Sequence, residues 1–242
     1  MTDARIIIAG DSNPLGFLNT GAAPYALTAR VQIWADTNAD GIGDAWHYMR
    51  PGVNTGTLNN PTAWGEEVQI ANKWLGDHPT GIIWIVKGQE TVKGGATAAD
   101  SFDPHTGPMF ASTTHAVNDA MHNLDGSAFA FSQFDVAFIG LGENDATNPT
   151  MAANYLANIT EINAAARTAW HVDELVEYRI TEGAGAPADN LAVRQAQWQA
   201  DQADAHLVTY KTIGYDMQPD GVHYALAGHV ALGNDAYDAW VF

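Results

Sequence analysis

The sequence predicts an α/β protein of three α/β/α layers, a mostly parallel sheet with helices on both faces. Two observations lead there. Ile6-Ile7-Ile8-Ala9, Ile82-Ile83-Trp84-Ile85-Val86 and Val136-Ala137-Phe138-Ile139 are short, wholly apolar runs, as strands buried on both faces require. Segments with apolar residues at helical spacing separate these runs, the alternation that builds a parallel sheet. Each run also stops at a glycine or a lysine-glycine pair followed by polar residues. Ligands gather beyond such carboxyl ends in open α/β sheets.

The elements follow in order. Arg5 to Gly10 is the first strand, ending in Gly10-Asp11-Ser12-Asn13. Residues 14–27 are rich in Gly, Pro and Ala and read as an irregular loop. Val31-Gln32-Ile33-Trp34 and Ala45-Trp46-His47-Tyr48 read as a hairpin, followed by a Gly/Asn/Pro-rich loop over 51–63. Trp64 to Leu75 carries Val68, Ala71, Trp74 and Leu75 on one helical face, with Glu66 and Glu67 in the first turn, where acids suit the helix dipole. A strand over 81–86 ends at Lys87-Gly88-Gln89, and a polar loop continues to 108. A helix over about 109–124 precedes the strand at 134–140, which ends in Leu141-Gly142-Glu143-Asn144-Asp145. Pro149 opens a long helix to about Trp170. Strands over 175–181 and 206–210 flank a helix over 188–203, and a last helix runs from about Tyr224 to Trp240.

At 242 residues, 46% of them apolar, the chain suffices for one large domain spanning 1–242. Its 28 acidic against 10 basic residues give a net charge of −18, which disfavours nucleic acid and anionic membranes as partners and favours neutral substrates. With no cysteine, disulfides, thiolate catalysis and zinc–cysteine sites are excluded. No apolar run is long enough to cross a bilayer, and the first strand begins too early for a signal peptide. A cytoplasmic location is the default expectation, with secretion or particle association expected only after processing or as part of a larger assembly. The sequence carries no signal of oligomeric state.

Ser12 is the candidate nucleophile, on a turn above the sheet. A serine hydroxyl needs a base, and His223 supplies one. Asp220, three positions earlier across a Gly-Val spacer, reaches back to the imidazole and fixes its tautomer. The competing role for Asp220 is to cap the helix near Tyr224.

Gly10-Asp11-Ser12-Asn13, Gly88, Gly142-Glu143-Asn144-Asp145 and Asp220-Gly221-Val222-His223 together resemble the four blocks of the SGNH (GDSL-like) hydrolases, in order. With Pro51-Gly52-Val53-Asn54-Thr55-Gly56, Arg194-Gln195-Ala196-Gln197 and Ala227-Gly228, the pattern is similar to the sialate O-acetylesterase and acetylxylan esterase branch, from about residue 5 to 238. The resemblance implies a flavodoxin-like sheet and a cofactor-free serine esterase that removes acetyl groups from carbohydrate. It implies an oxyanion hole of the Ser12 N–H, the Gly88 N–H and the Asn144 amide. Two departures bear on substrate: Leu141 stands where that branch has glutamine, and Gly88 is followed by Gln89 instead of a second glycine.

Trp64, Gln89 and Glu143 are the candidate substrate-binding residues, Trp64 by stacking on a sugar face, although core packing is the commoner fate of such a tryptophan. Asp36, Asn38 and Asp40 resemble the start of a calcium loop, but His47 stands where a bidentate Glu is needed, so a plain hairpin turn is favoured. The expected partner is an acetylated carbohydrate or small ester. Two rival functions are a lipid or small-ester hydrolase of the same superfamily, and a non-enzymatic carbohydrate-binding module of a larger surface or viral assembly.

Overall fold

A computed structural model describes residues 3–16, 19, 21–26, 28–35, 45–56, 60–88, 102–122 and 131–241. Seven strands form one sheet: β1 (Ala4–Gly10), β2 (Val31–Ala35), β3 (Ala45–Tyr48), β4 (Ile83–Lys87), β5 (Val136–Gly140), β6 (Leu175–Arg179) and β7 (Leu207–Lys211). Their spatial order is β3-β2-β4-β1-β5-β6-β7, parallel except for β3, which pairs antiparallel with β2. Stripped of the β2–β3 hairpin at one edge, the order β4-β1-β5-β6-β7 is the flavodoxin-like 2-1-3-4-5 arrangement. The chain fills one side of β1 with β2, β3 and β4 and then crosses to the other with β5, β6 and β7, so the switch point lies at the carboxyl end of β1, where Ser12 follows.

The local chemistry explains the elements. Ile6, Ile7, Ile8 and Ala9 are inaccessible to solvent because β1 is paired on both edges and covered on both faces. Each isoleucine so buried contributes about 1.5–3 kcal/mol. Gly10 ends the strand with φ at +135°, and a Cβ there would lie 2.2 Å from the Gly140 carbonyl. Only glycine lets the chain turn this close to β5, and the Asp11 N–H then donates to that same carbonyl at 2.9 Å.

The helices are α1 (Glu67–Asp77), α2 (Pro108–His122), α3 (Pro149–Ala169), α4 (Pro187–Ala203) and α5 (Leu226–Val241). Asn148 caps α3 by accepting from the Thr150 and Met151 amides at 2.9 and 3.3 Å, with Pro149 preset in the first turn. On one face of the sheet α1 packs on α5, tied by Lys73 to Asp238 and by the Tyr237 hydroxyl to Asp77. On the other α3 packs on α4, and Trp170 after α3 stacks on Phe110 of α2 and donates to Thr114. The three-layer α/β/α expectation is met.

Some boundaries moved. The first helix begins at Glu67 instead of Trp64, because residues 63–66 form a buried strap. The last begins at Leu226 instead of Tyr224, whose amide is held elsewhere. The candidate calcium ligands Asp36, Asn38 and Asp40 lie outside the described residues.

One core carboxyl carries a stability prediction. Glu177 of β6 is 2% exposed, and no well-formed hydrogen bond reaches either of its oxygens among the described residues. Burial pushes it up to about 7, against the weaker pull of Asn163 and Arg167. As pH rises from 4.5 to 7 the unfolded chain releases this proton while the folded chain keeps it, so stability falls and then levels off. The accumulated cost is about 3 kcal/mol. Glu177→Gln is therefore expected to melt above wild type at pH 8 and to gain much less at pH 5. A gain independent of pH in paired melting curves would contradict this origin.

Candidate active site

Two loops come together at the carboxyl end of β1. In the loop before α5, Asp220 and His223 form a dyad, with His223 Nδ1 2.7 Å from Asp220 Oδ2. The sequence folds this way because Gly221 takes φ +70°, a conformation costly for other residues. The resulting turn points the Val222 and His223 amides at Asp220 Oδ1, both at 2.9 Å. Burial alone would raise the Asp220 carboxyl, yet the His223 amide, the His223 ring and the Val222 amide hold it below its usual value. A carboxylate kept ionised beside Nδ1 directs the Nδ1 proton toward itself and leaves Nε2 as the acceptor. Asp220 thus engages the imidazole, and the cap expected of its alternative role is absent because α5 starts later.

The serine loop is fastened to this dyad by the residue next to Ser12. Asn13 Oδ1 accepts from the Tyr224 amide at 3.1 Å, and Asn13 Nδ2 donates to the Val222 carbonyl at 3.0 Å. These are the two neighbours of His223. The loop that carries a serine near the start of the chain is thereby held against the loop that carries a histidine near its end. Ser12 is half-buried, and the His223 side chain is 19% exposed. On the other side of Ser12, Asp11 Oδ2 accepts from Asn144 Nδ2 at 3.2 Å, which orients the candidate oxyanion amide. Gly142 makes the approach possible, with φ at +124° and Val193 and Ile180 against it.

Three expected roles look different in space. The Gly88 N–H donates to the Ile8 carbonyl at 2.7 Å, closing the β1–β4 ladder, so it does not face an oxyanion. Glycine is needed at 88 for packing instead, since a Cβ there would sit 2.7 Å from Thr113 Oγ1. Trp64 is 1% exposed, its indole N–H donating to the Gly21 carbonyl, which corrects the sugar-stacking expectation to core packing. Glu143 is 3% exposed with Oε1 accepting from Asn13 Nδ2 at 2.8 Å, a buried position that ties it to the serine loop. Burial raises its carboxyl, against the opposing hydrogen bond from Asn13. Gln89 lies outside the described residues.

Sequence reasoning missed the work of Asn13, whose only signal was its place directly after Ser12. It also missed the ion pair of Lys87 with Glu67, 3.0 Å apart and both buried. No group of three or more His, Asp or Glu residues among those described is placed to hold a metal ion. No helix among them is long and apolar enough to cross a membrane.

No family model matches the sequence, and neither does any curated protein. Solved structures do match. A protein from Arabidopsis thaliana superposes with a TM-score of 0.74 at 13% identity, covering 98% of this chain and 97% of its own. A carbohydrate acetylesterase from Xanthomonas citri gives 0.62 at 12% identity over 98% of this chain, which spans only 55% of that larger protein. A putative GDSL-like lipase from Parabacteroides merdae gives 0.52 at 13% identity, covering 98% and 95%. The chain has the SGNH-hydrolase fold. Ser12 follows β1, and His223 lies in the loop before the last helix.

Proposed function

We propose that the protein is a serine esterase that removes acetyl or other short acyl groups from carbohydrate, with the whole chain acting as one hydrolase domain. The observation that carries this reading is the coupling of the Ser12 loop to an assembled Asp220–His223 dyad through the Asn13 side chain.

In this mechanism His223 Nε2 takes the Ser12 proton as Oγ attacks the ester carbonyl, and Asp220 stabilises the imidazolium. The Ser12 N–H and the Asn144 amide hold the oxyanion. The carbon–oxygen bond to the sugar then breaks, and His223 returns its proton to the leaving sugar oxygen. Water attacks the acyl-serine with His223 again as base, acetate departs, and Ser12 recovers its proton. Every proton and electron pair is carried by these side chains and water, so no cofactor enters.

The test is hydrolysis of p-nitrophenyl acetate against octanoate, followed by acetate release from acetylated xylan, pectin, sialic acid and simple acetyl sugars. Turnover of the acetyl esters with little on octanoate is expected. Inactivity on every ester, with no labelling of Ser12 by a fluorophosphonate, would favour a carbohydrate-binding module. Asn144→Ala is expected to lower kcat by about 10²–10³ with KM nearly unchanged, since its amide serves the transition state. An unchanged kcat would remove Asn144 from the oxyanion hole.

A further inference from the structure

Asn13 makes three side-chain hydrogen bonds, each to a different partner. Both N–H groups donate, one to Val222 O at 3.0 Å and one to Glu143 Oε1 at 2.8 Å, and Oδ1 accepts from Tyr224 N at 3.1 Å. Val222 and Tyr224 bracket His223, so these bonds fix where the imidazole leaves the backbone. The bond from Nδ1 to Asp220 then fixes how the ring is turned. Glu143 belongs to the turn that carries Asn144, so the same amide also ties the serine loop to the oxyanion loop. Asn13 and Glu143 are almost wholly withdrawn from water, at 1% and 3% exposure, where a hydrogen bond left unmade costs the most.

The residue type is tightly specified. Aspartate would keep the bond to Tyr224 but turn oxygens toward the Val222 carbonyl and the Glu143 carboxyl. Alanine or leucine would remove all three bonds. Packing alone has no need for an amide here, because an apolar side chain would fill the same buried space.

We infer that Asn13 is a positioning residue of the reaction: its side chain sets the distance and angle between the Ser12 hydroxyl and the His223 ring, with the buried Glu143 carboxyl as its anchor. This rests on the esterase reading. Displacement of reacting groups by about 1 Å costs on the order of 10²-fold in rate, so the effect belongs in kcat and not in substrate binding.

The experiment measures kcat and KM on p-nitrophenyl acetate for Asn13→Ala, Asn13→Asp, Glu143→Ala and Glu143→Gln, each normalised to the serine titrated by a fluorophosphonate and accompanied by a melting curve. Per titrated serine, Asn13→Ala and Asn13→Asp are expected to lose about 10²-fold in kcat with KM within about threefold of wild type. Glu143→Gln keeps an oxygen for Asn13 Nδ2 and is expected to lose less than Glu143→Ala. If both Asn13 variants titrate fewer serines but turn over normally at each, Asn13 serves folding only and the inference fails. If Asn13→Ala is recovered unfolded, Asn13→Asp, which keeps the shape, is read in the same way. If wild type neither hydrolyses esters nor reacts with the fluorophosphonate, the esterase reading and this inference fall together. An active wild type with unaffected Asn13 variants overturns this inference alone.

Discussion

Replacing His223 with alanine is expected to lower kcat on p-nitrophenyl acetate by about 10⁶, and Ser12→Ala by a similar factor. The size follows from their acting as one unit. Without the imidazole, the Ser12 proton has nowhere to go as Oγ attacks. Without the hydroxyl, the imidazole has no acyl acceptor to activate. The double variant is therefore expected to be no slower than either single one, leaving whatever the oxyanion donors and binding still provide. Asp220→Asn keeps the shape of the turn but offers an amide to Nδ1, and its expected loss is about 10⁴. Stopped assays over long incubations, with contaminating hydrolase controlled by the fluorophosphonate, measure all four proteins. If the losses multiply in the double variant, the two residues act independently and the triad does not operate.

The parts of the fold that could be read from the sequence were those set by local pattern. Ile6 to Ala9 of β1 and Val136 to Ile139 of β5 are uniformly apolar because both faces are covered, and such runs have few other uses. The Asp220–His223 dyad was legible because it is local: four consecutive residues that include a glycine permitting the turn and an acid whose second oxygen is occupied by the turn's own amides. Residues whose meaning depends on which way they face were not legible. Trp64 and Glu143 both stand beside glycines at the ligand end of the sheet, and nothing in the string distinguishes an aromatic or acid that looks out from one that looks in. For Gly88, the sequence locates the glycine but not whether its N–H is already used by the neighbouring strand. Glu67 read as an acid suited to a helix dipole, yet it is wholly buried on a cation twenty positions away. Lys87 read as the end of a strand for the same reason: a charge is expected to mark the return to water, and here it does not.

That buried cation makes Lys87→Met the most destabilising single change expected in the molecule. Lys87 Nζ donates to Glu67 Oε1 at 3.0 Å and to the Thr55 carbonyl at 2.6 Å, and both charged side chains are at most 1% exposed. Burial lowers the Lys87 ammonium, while Glu67 and Glu66 oppose the shift. Glu66, equally buried, is raised well above its ordinary value, mainly by desolvation and then by Glu67. Methionine would fill the space of the lysine stem but leave the Glu67 carboxylate without its cation, at a cost of about 3–5 kcal/mol. In a chain of this length that is a fall of roughly 10 °C in Tm. The loss is expected to reach the active site as well. Glu67 Oε1 also accepts from the Gly65 amide at 2.9 Å, and the Glu66 amide donates to Pro14 O at 3.3 Å. A Cβ on Gly65 would sit 2.0 Å from that same Pro14 carbonyl, so the strap and the chain just past Ser12 are in direct contact. Adding Glu67→Gln removes the stranded charge while keeping an acceptor for Gly65, and Lys87→Met/Glu67→Gln is expected to recover more than half of the lost stability. Calorimetry on the three proteins decides it: a double variant no more stable than Lys87→Met would place the loss in packing around the lysine stem and not in an uncompensated carboxylate.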